Sequence, residues 1–252
     1  MPDLATIPCL NDNYAYLLHD PATGHTTLID APQAAPILSA LDELGWALSQ
    51  ILLTHHHADH IQAVPDLVAA TNATVLGAAA DAHRLPPLTR RLREGDTVAI
   101  GSETAHVLDV SGHTLGHLAF VLPGLAFTAD SLMAAGCGRL FEGTPALMWQ
   151  SLGKLAALPP ETMICSGHEY TTANLRFALT IEPDSPALLA RIAAVAAARA
   201  ADHPTVPSRL SDELATNPFL RAHLPQIKAQ IGLPHASDVE TFTEIRARKD
   251  RF

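Results

Sequence analysis

The apolar positions of this chain fall first into short runs and later into helical spacing. Residues 4–8, 15–18 and 26–29 read as strands, the last running into Asp30. Residues 36–44 carry apolar side chains at helical spacing and meet Gly45, a residue that tolerates the left-handed conformation at a helix end. Residues 50–53 read as a buried strand, 61–70 as a helix and 74–76 as another strand. Four more strand-like runs follow at 97–100, 105–110, 118–122 and 125–128. Thr144-Pro145 starts a helix, Pro159-Pro160 stops it, and 162–165 is the last strand signal. Beyond Tyr170 the pattern changes. Asp184-Ser185-Pro186 opens an alanine-rich helix reaching about residue 201. Ser237-Asp238-Val239-Glu240 has the form of a capping box and opens a final helix. The expectation is an α/β domain followed by a helical one, with the boundary near residue 172.

Composition narrows the class. The chain of 252 residues is 48% hydrophobic, which suits one large domain or a domain with a smaller appendage. No run approaches the roughly 20 apolar residues that span a bilayer, and no membrane association is expected. The first residues lack the basic and apolar regions of a secretory signal. Cys9, Cys137 and Cys165 are odd in number and irregularly spaced, so no disulfide framework is indicated and a cytoplasmic location is expected. The net charge of −10 argues against a nucleic-acid surface, the basic stretch 246–251 being a local exception.

Histidine placement says more. In Thr54-His55-His56-His57-Ala58-Asp59-His60, His55 and His57 share one side of an extended segment, and Asp59 and His60 follow within a turn. Imidazole suits zinc and iron, and a carboxylate can bridge two ions. His56 points away from its neighbours and is expected to support rather than ligate. His113, Asp130 and His168 each stand just beyond a strand-like run, where loops on a rigid scaffold carry chemistry. His113 and His117 are four apart and could share a helix face, but the Glu of His-Glu-x-x-His is missing, so His117 reads as structural. Asp30 either orients a ligating imidazole or forms a turn.

With these residues on the page, the chain resembles the metallo-β-lactamase superfamily, whose signature is His-x-His-x-Asp-His followed by a separate His, Asp and His. More narrowly it resembles the glyoxalase II, or hydroxyacylglutathione hydrolase, family. Gly112-His113-Thr114-Leu115-Gly116-His117, the stretch Gly136-Cys137-Gly138-Arg139-Leu140-Phe141-Glu142-Gly143-Thr144 and Cys165-Ser166-Gly167-His168-Glu169-Tyr170-Thr171 carry that likeness. Pro204-Thr205-Val206-Pro207-Ser208, Asn217-Pro218-Phe219-Leu220-Arg221 and Arg246-Ala247-Arg248-Lys249-Asp250 extend it into the tail. The resemblance implies an α/β fold, a four-layer αββα sandwich over residues 1–171, followed by a small helical glutathione-binding domain over 172–252. It implies one metal on His55, His57 and His113, another on Asp59, His60 and His168, and Asp130 with a hydroxide bridging them. Two divalent ions are implied, zinc first, with iron or manganese compatible with the ligands. Arg139, Phe141, Tyr170, Arg246 and Lys249 fall at the family's glutathione contacts, with Arg139 and Phe141 standing where the family usually has Lys and Tyr.

The implied reaction is hydrolysis of S-(2-hydroxyacyl)glutathione thioesters, such as S-lactoylglutathione, the second step of methylglyoxal detoxification. His55, His57 and Asp59 would carry catalysis through the metals, with Asp59 orienting the nucleophile. The partner is a small-molecule thioester, and a monomer is expected. The alternatives are a persulfide dioxygenase or another enzyme on the same scaffold, and a metal-binding module without catalysis. The complete second ligand set disfavours the first, and the anchors Arg139, Tyr170 and Lys249 disfavour the last.

Overall fold

The computed structural model describes residues 2–252, which form two compact units: residues up to 110 with 114–129, and 111–113 with 130–252. In the first unit, β1 (Asp3–Cys9), β2 (Asn13–Asp20) and β3 (His25–Ile29) pair antiparallel. The chain then crosses over through α1 (Ala34–Leu44) to β4 (Leu48–Leu52), which lies parallel to β3. A single-turn helix α2 (Ala58–Ile61) and α3 (Val64–Thr71) lead to β5 (Thr74–Ala78) and β6 (Arg90–Leu92), both parallel additions. Helix α1 buries Ile37 and Leu41, four apart on one face, and ends at Gly45 with φ 68°. The following N–H of Trp46 reaches back to the Leu41 carbonyl, which closes the last turn.

A second sheet in this unit is a meander of β7 (Thr97–Ile100), β8 (Glu103–Asp109), β9 (Leu118–Leu122) and β10 (Leu125–Ala129). It packs on the first sheet through the Tyr16 and Phe127 rings, 5.5 Å apart and edge to face. Gln50 spans the same layer, donating from Nε2 to Thr27 Oγ1 at 2.8 Å and to the Ala99 carbonyl at 2.7 Å. Such a buried amide survives because both bonds are made. Leu17, Leu28, Ile51, Leu52 and Phe120 are fully buried, each contributing about 1.5–3 kcal/mol. Being buried along nearly its whole length, β2 reads as a continuous apolar run over residues 14–18 rather than an alternating one. Ile29 pairs with Leu52, so β3 and β4 end side by side and release Asp30 and Thr54 together.

In the second unit, β11 (Leu132–Met133) and β12 (Gly136–Cys137) form a small hairpin. Helix α4 (Pro145–Ala156) starts as the Thr-Pro signal requires, the Thr144 hydroxyl accepting from the Leu147 N–H. After β13 (Met163–Ser166) come α5 (Thr171–Ile181) and α6 (Pro186–Ala200), the latter capped by Ser185. β14 (Ser208–Arg209) pairs antiparallel with β13 and leads into α7 (Leu210–Thr216), α8 (Pro225–Gln230) and α9 (Asp238–Arg251). Both arms of the Ser237–Glu240 capping box are present at the start of α9. Phe219 stacks on Phe177 and meets Phe242 edge-on, at 5.9 Å in each case, which builds the helical core.

Several details depart from the expectation, among them the run 61–70, which divides between α2 and α3. A strand, β14, does follow Tyr170, two residues long and set by pairing rather than by pattern. Residues 111–117 form turns, so His113 and His117 share no helix face. Among the described residues no helix is long and apolar enough to cross a membrane.

Candidate metal centre

The first unit delivers its histidines on the loop after β4, and one carboxylate organises them. Asp30 stands in the left-handed region at φ 56°, a conformation Asp tolerates better than most residues. It is buried, and its Oδ1 accepts from the Thr54 N–H at 2.8 Å. Its Oδ2 accepts from the Thr54 hydroxyl at 2.7 Å and faces His60 Nδ1 at 2.8 Å. These partners fix tautomers. A carboxylate only accepts, so His60 Nδ1 carries the proton and Nε2 keeps its lone pair. The Thr54 hydroxyl has given its hydrogen to Asp30, so it accepts from His55 Nδ1 at 3.0 Å, and His55 Nε2 is left as a donor to metal. Asp30, His55 and His60 place ligand atoms within 4.8 Å of one another, but the Asp30 oxygens are taken by these bonds. Asp30 therefore supports Thr54 and the His60 ring as well as making the turn.

The rings crowd. His55 lies 4.2 Å from His60 and 4.7 Å from His57 between centroids. His117 stacks on His55 at 4.7 Å and 12° and is fully buried, a wall that holds the ring plane. Asp59 stands 3.7 Å from His60 Nε2, and Asn13 Nδ2 donates to its Oδ2 at 3.0 Å. His56 turns toward Asp81, Nδ1 to Oδ2 3.3 Å, and Arg84 closes on the other Asp81 oxygen at 2.6 Å. A side chain at position 116 would collide with that Asp81 carboxylate, so glycine there makes room for it.

In the second unit His113, Asp130 and His168 come together. Asp130 Oδ2 lies 3.4 Å from His113 Nε2 and 3.3 Å from His168 Nε2. Two ligands about 2.0–2.1 Å from one tetrahedral ion stand about 3.3–3.4 Å apart. One carboxylate oxygen between two imidazoles at that spacing suits metal ligation better than a pair of hydrogen bonds. His113 Nδ1 donates to the Arg139 carbonyl at 2.7 Å, so its Nε2 also keeps a lone pair. The donor set therefore fits divalent metal: buried imidazoles with their far nitrogens pinned, and carboxylates between them.

The residues carried over as glutathione contacts also lie in this unit. Tyr170 stacks on His168 at 4.6 Å and 7°, and Phe141 meets His113 edge-on at 5.3 Å; both rings are exposed on one side. Arg139 is exposed and reaches Asp250 at 3.3 Å. Lys249 Nζ sits over the rings of Phe177 and Phe252, at 5.4 and 5.2 Å. Burial first, and repulsion from Arg246 second, hold its pKa below the ordinary lysine value. Arg246 differs from the other cations. It is 6% exposed, donates to the Cys137 carbonyl at 2.9 Å and pairs with Asp250 at 2.9 Å. Burial also pushes the Cys137 thiol up to about 11, which keeps it an inert neighbour.

Asn13, Thr54 and Asp81 escaped the sequence reading. Asn13 had one available signal: it is a polar residue directly before the apolar run 14–18. Asp81 had none, lying 25 residues from His56 in a turn.

The model for the Metallo-beta-lactamase superfamily matches residues 12–168, and that for the Hydroxyacylglutathione hydrolase C-terminus matches 169–252. Hydroxyacylglutathione hydrolase of Fuscovulum blasticum is 67% identical over 252 residues, covering 99% of each chain. That of Cereibacter sphaeroides is 63% identical over 252 residues, again covering 99% of each. Among solved structures, ETHE1 from Myxococcus xanthus aligns with a TM-score of 0.68 at 25% identity, over 97% of this chain and 90% of that one. TTHA1623 in a di-iron-bound form aligns with a TM-score of 0.57 at 30% identity, over 67% of this chain and 91% of that one. With a superfamily model matching more than half its length and relatives this similar from end to end, the chain belongs to the hydroxyacylglutathione hydrolase family of the metallo-β-lactamase superfamily.

Proposed function

We propose that this protein hydrolyses S-(2-hydroxyacyl)glutathione thioesters, S-lactoylglutathione among them, to the hydroxy acid and glutathione. The observation that carries this reading is the Asp130 oxygen set between His113 and His168 at ligand spacing, in a chain 67% identical to a hydroxyacylglutathione hydrolase. In this reading His55, His57 and His113 hold one divalent ion, Asp59, His60 and His168 hold the second, and Asp130 is shared. The di-iron form of a relative at 30% identity supports a two-ion count. Zinc is the first choice of metal, with iron and manganese compatible with the same donors.

When bound, the ions acidify a water and polarise the thioester carbonyl. The chain supplies the rest. Asp30 and Thr54 hold His55 and His60 in the ligating tautomer. Asn13 fixes Asp59, whose carboxylate would accept a hydrogen bond from the nucleophile and orient it. The leaving thiol has a pKa near 8.5, so the thiolate departs without a dedicated acid. Arg139 and Lys249 take the carboxylates of the glutathione moiety by charge-assisted bonds. Tyr170 and Phe141 flank its backbone, and Arg246 holds the Cys137 carbonyl and Asp250 in place. The catalytic part runs over residues 1–171 and the glutathione-binding helices over 172–252. We place the protein in the cytoplasm as a monomer.

The test is thioester hydrolysis of S-lactoylglutathione with metal analysis on the same preparation. Turnover with about two ions per chain is expected. A preparation carrying two ions that leaves S-lactoylglutathione intact would end the reading, and oxygen uptake with glutathione persulfide would put a dioxygenase in its place.

A further inference from the structure

The tip of the hairpin that follows Asp130 takes its side-chain hydrogen bonds from residues of the helices. This tip, 133–136, turns through Ala135 at φ 54°, a left-handed conformation that disfavours any residue but glycine or a short polar one. Two interactions hold it there. The Ala135 methyl is fully buried among Leu175, Ala178, Leu188 and Val195 of α5 and α6, and its N–H donates to Glu213 Oε2 at 2.7 Å. The carbonyls nearby are taken in turn. Asn217 Nδ2 donates to Gly136 at 2.9 Å and to Met133 at 3.2 Å, and Asn174 Nδ2 donates to Ala134 at 3.0 Å. Glu213 itself is fully buried, pairs with Arg191 and accepts from Ser208 Oγ at 2.7 Å.

The feet of this hairpin enter the metal centre. Leu132 pairs with Cys137, and the Gly138 N–H donates to the Ser131 carbonyl at 3.2 Å. One foot thus carries Asp130, and the other carries the Arg139 carbonyl that accepts from His113 Nδ1. The feet are pressed together: a Cβ on Gly138 would stand 2.9 Å from His113 Nδ1 and collide with the Asp130 carbonyl. A shift at the tip therefore reaches a bridging carboxylate and a ligating imidazole at once.

We propose that Glu213 and Asn217 are positioning residues of the metal centre, holding the β11–β12 tip so that its feet set Asp130 and His113. This rests on the assignment of His113, Asp130 and His168 as ligands. It gives the Asn217-Pro218-Phe219 motif a role: Asn217 ends α7 and spends its amide on the hairpin, while its own Oδ1 accepts from the Phe219 N–H at 3.1 Å.

The experiment uses the full chain stripped of metal and titrated with zinc, and with cobalt(II) followed by its visible absorption. N217A and E213Q should weaken zinc binding about 10- to 100-fold, the range for residues that orient ligands. Both should alter the cobalt spectrum while far-UV dichroism stays unchanged. E182Q is the control. Glu182 pairs with Arg221 at 2.8 and 2.7 Å in the same helical region and touches no hairpin atom. It should lower the melting temperature yet titrate like the unaltered chain. Unaltered zinc affinity and cobalt spectrum in both N217A and E213Q would overturn the proposal; if N217A fails to fold, E213Q, which keeps the side-chain shape, decides alone. Weakened binding in E182Q equal to that in N217A would also overturn it, since general loosening would then suffice. An unaltered chain that binds no zinc would instead bring down the ligand assignment itself.

Discussion

The two units prepare the proposed metal ligands in opposite ways. In the first, His55 and His60 lie within six residues, on the loop after β4 and in α2, and a single acid, Asp30, pins them through Thr54 and His60 Nδ1. In the second, His113, Asp130 and His168 come from three separate loops, and their order depends on a hairpin gripped by Glu213, Asn217 and Asn174. The first arrangement is compact and hangs on one residue. The second is spread over several bonds and a patch of apolar packing, so it should yield gradually.

The sharpest test removes the shared carboxylate. Asp130→Ala should lower thioesterase activity by at least about 100-fold, beyond the range for loss of an orienting residue. Metal content of the isolated variant should fall with it, by emission spectrometry. Full occupancy in that variant would remove Asp130 from the bridge.

Asp30→Ala comes next and probes the compact side. It strips acceptors from the Thr54 N–H and hydroxyl and from His60 Nδ1, all buried. Stability should drop by about 1–3 kcal/mol for the stranded donors, and zinc affinity by about 10- to 100-fold. If the comparison holds, this single change should equal or exceed N217A in its effect on zinc. A smaller loss in Asp30→Ala would show that the loop of the first unit is held by more than this acid.

Asn13→Ala is expected to be milder and of a different kind. Its amide donates to Asp59 Oδ2 across 46 residues of sequence. Loss of one hydrogen bond to a charged group should cost about tenfold in kcat, with metal content unchanged. A matching loss of metal would mean that Asn13 holds the ligand rather than the orientation of the nucleophile.

The same contrast explains what the sequence could disclose. The loop cluster was legible because its ligands are contiguous and follow an apolar strand. The helix starts at Ser185 and Ser237 were legible because capping is local, needing only the next three residues. β6 was not: two of its three residues are exposed arginines, and only pairing with β5 makes it a strand. β11, β12 and β14 are two residues each, too short for any period to show. Asn13, Asp81, Glu213 and Asn217 act through side-chain bonds to residues far along the chain, which no local pattern encodes. Arg246 stands four residues after Phe242, on the face of α9 that also buries Ile245, so helical spacing could have marked it as the inward cation of a basic tail, a reading not drawn from the sequence above.

That distinction between inward and outward cations gives the smallest and most specific prediction. Lys249→Met should raise KM for S-lactoylglutathione about 3- to 10-fold at neutral pH, a charge-assisted bond discounted for its half-exposed setting, with kcat little changed. The alkaline side separates the roles further. Desolvation holds the Lys249 pKa below 10.5, so its proton leaves earlier than from a free lysine. KM should therefore begin to rise with pH before 10.5 is reached. The stability sign follows from proton counts: between the depressed pKa and 10.5 the unfolded chain binds the extra proton, so Lys249 contributes stability that increases with pH across that window. The cost of burying its charge is fully present below it. Lys249→Arg keeps its charge throughout and should flatten the rise in KM without restoring it to the value of the unaltered chain at neutral pH. A KM profile in Lys249→Arg that still climbs over the same interval would assign the alkaline limb to another group and leave Arg139 as the principal carboxylate anchor.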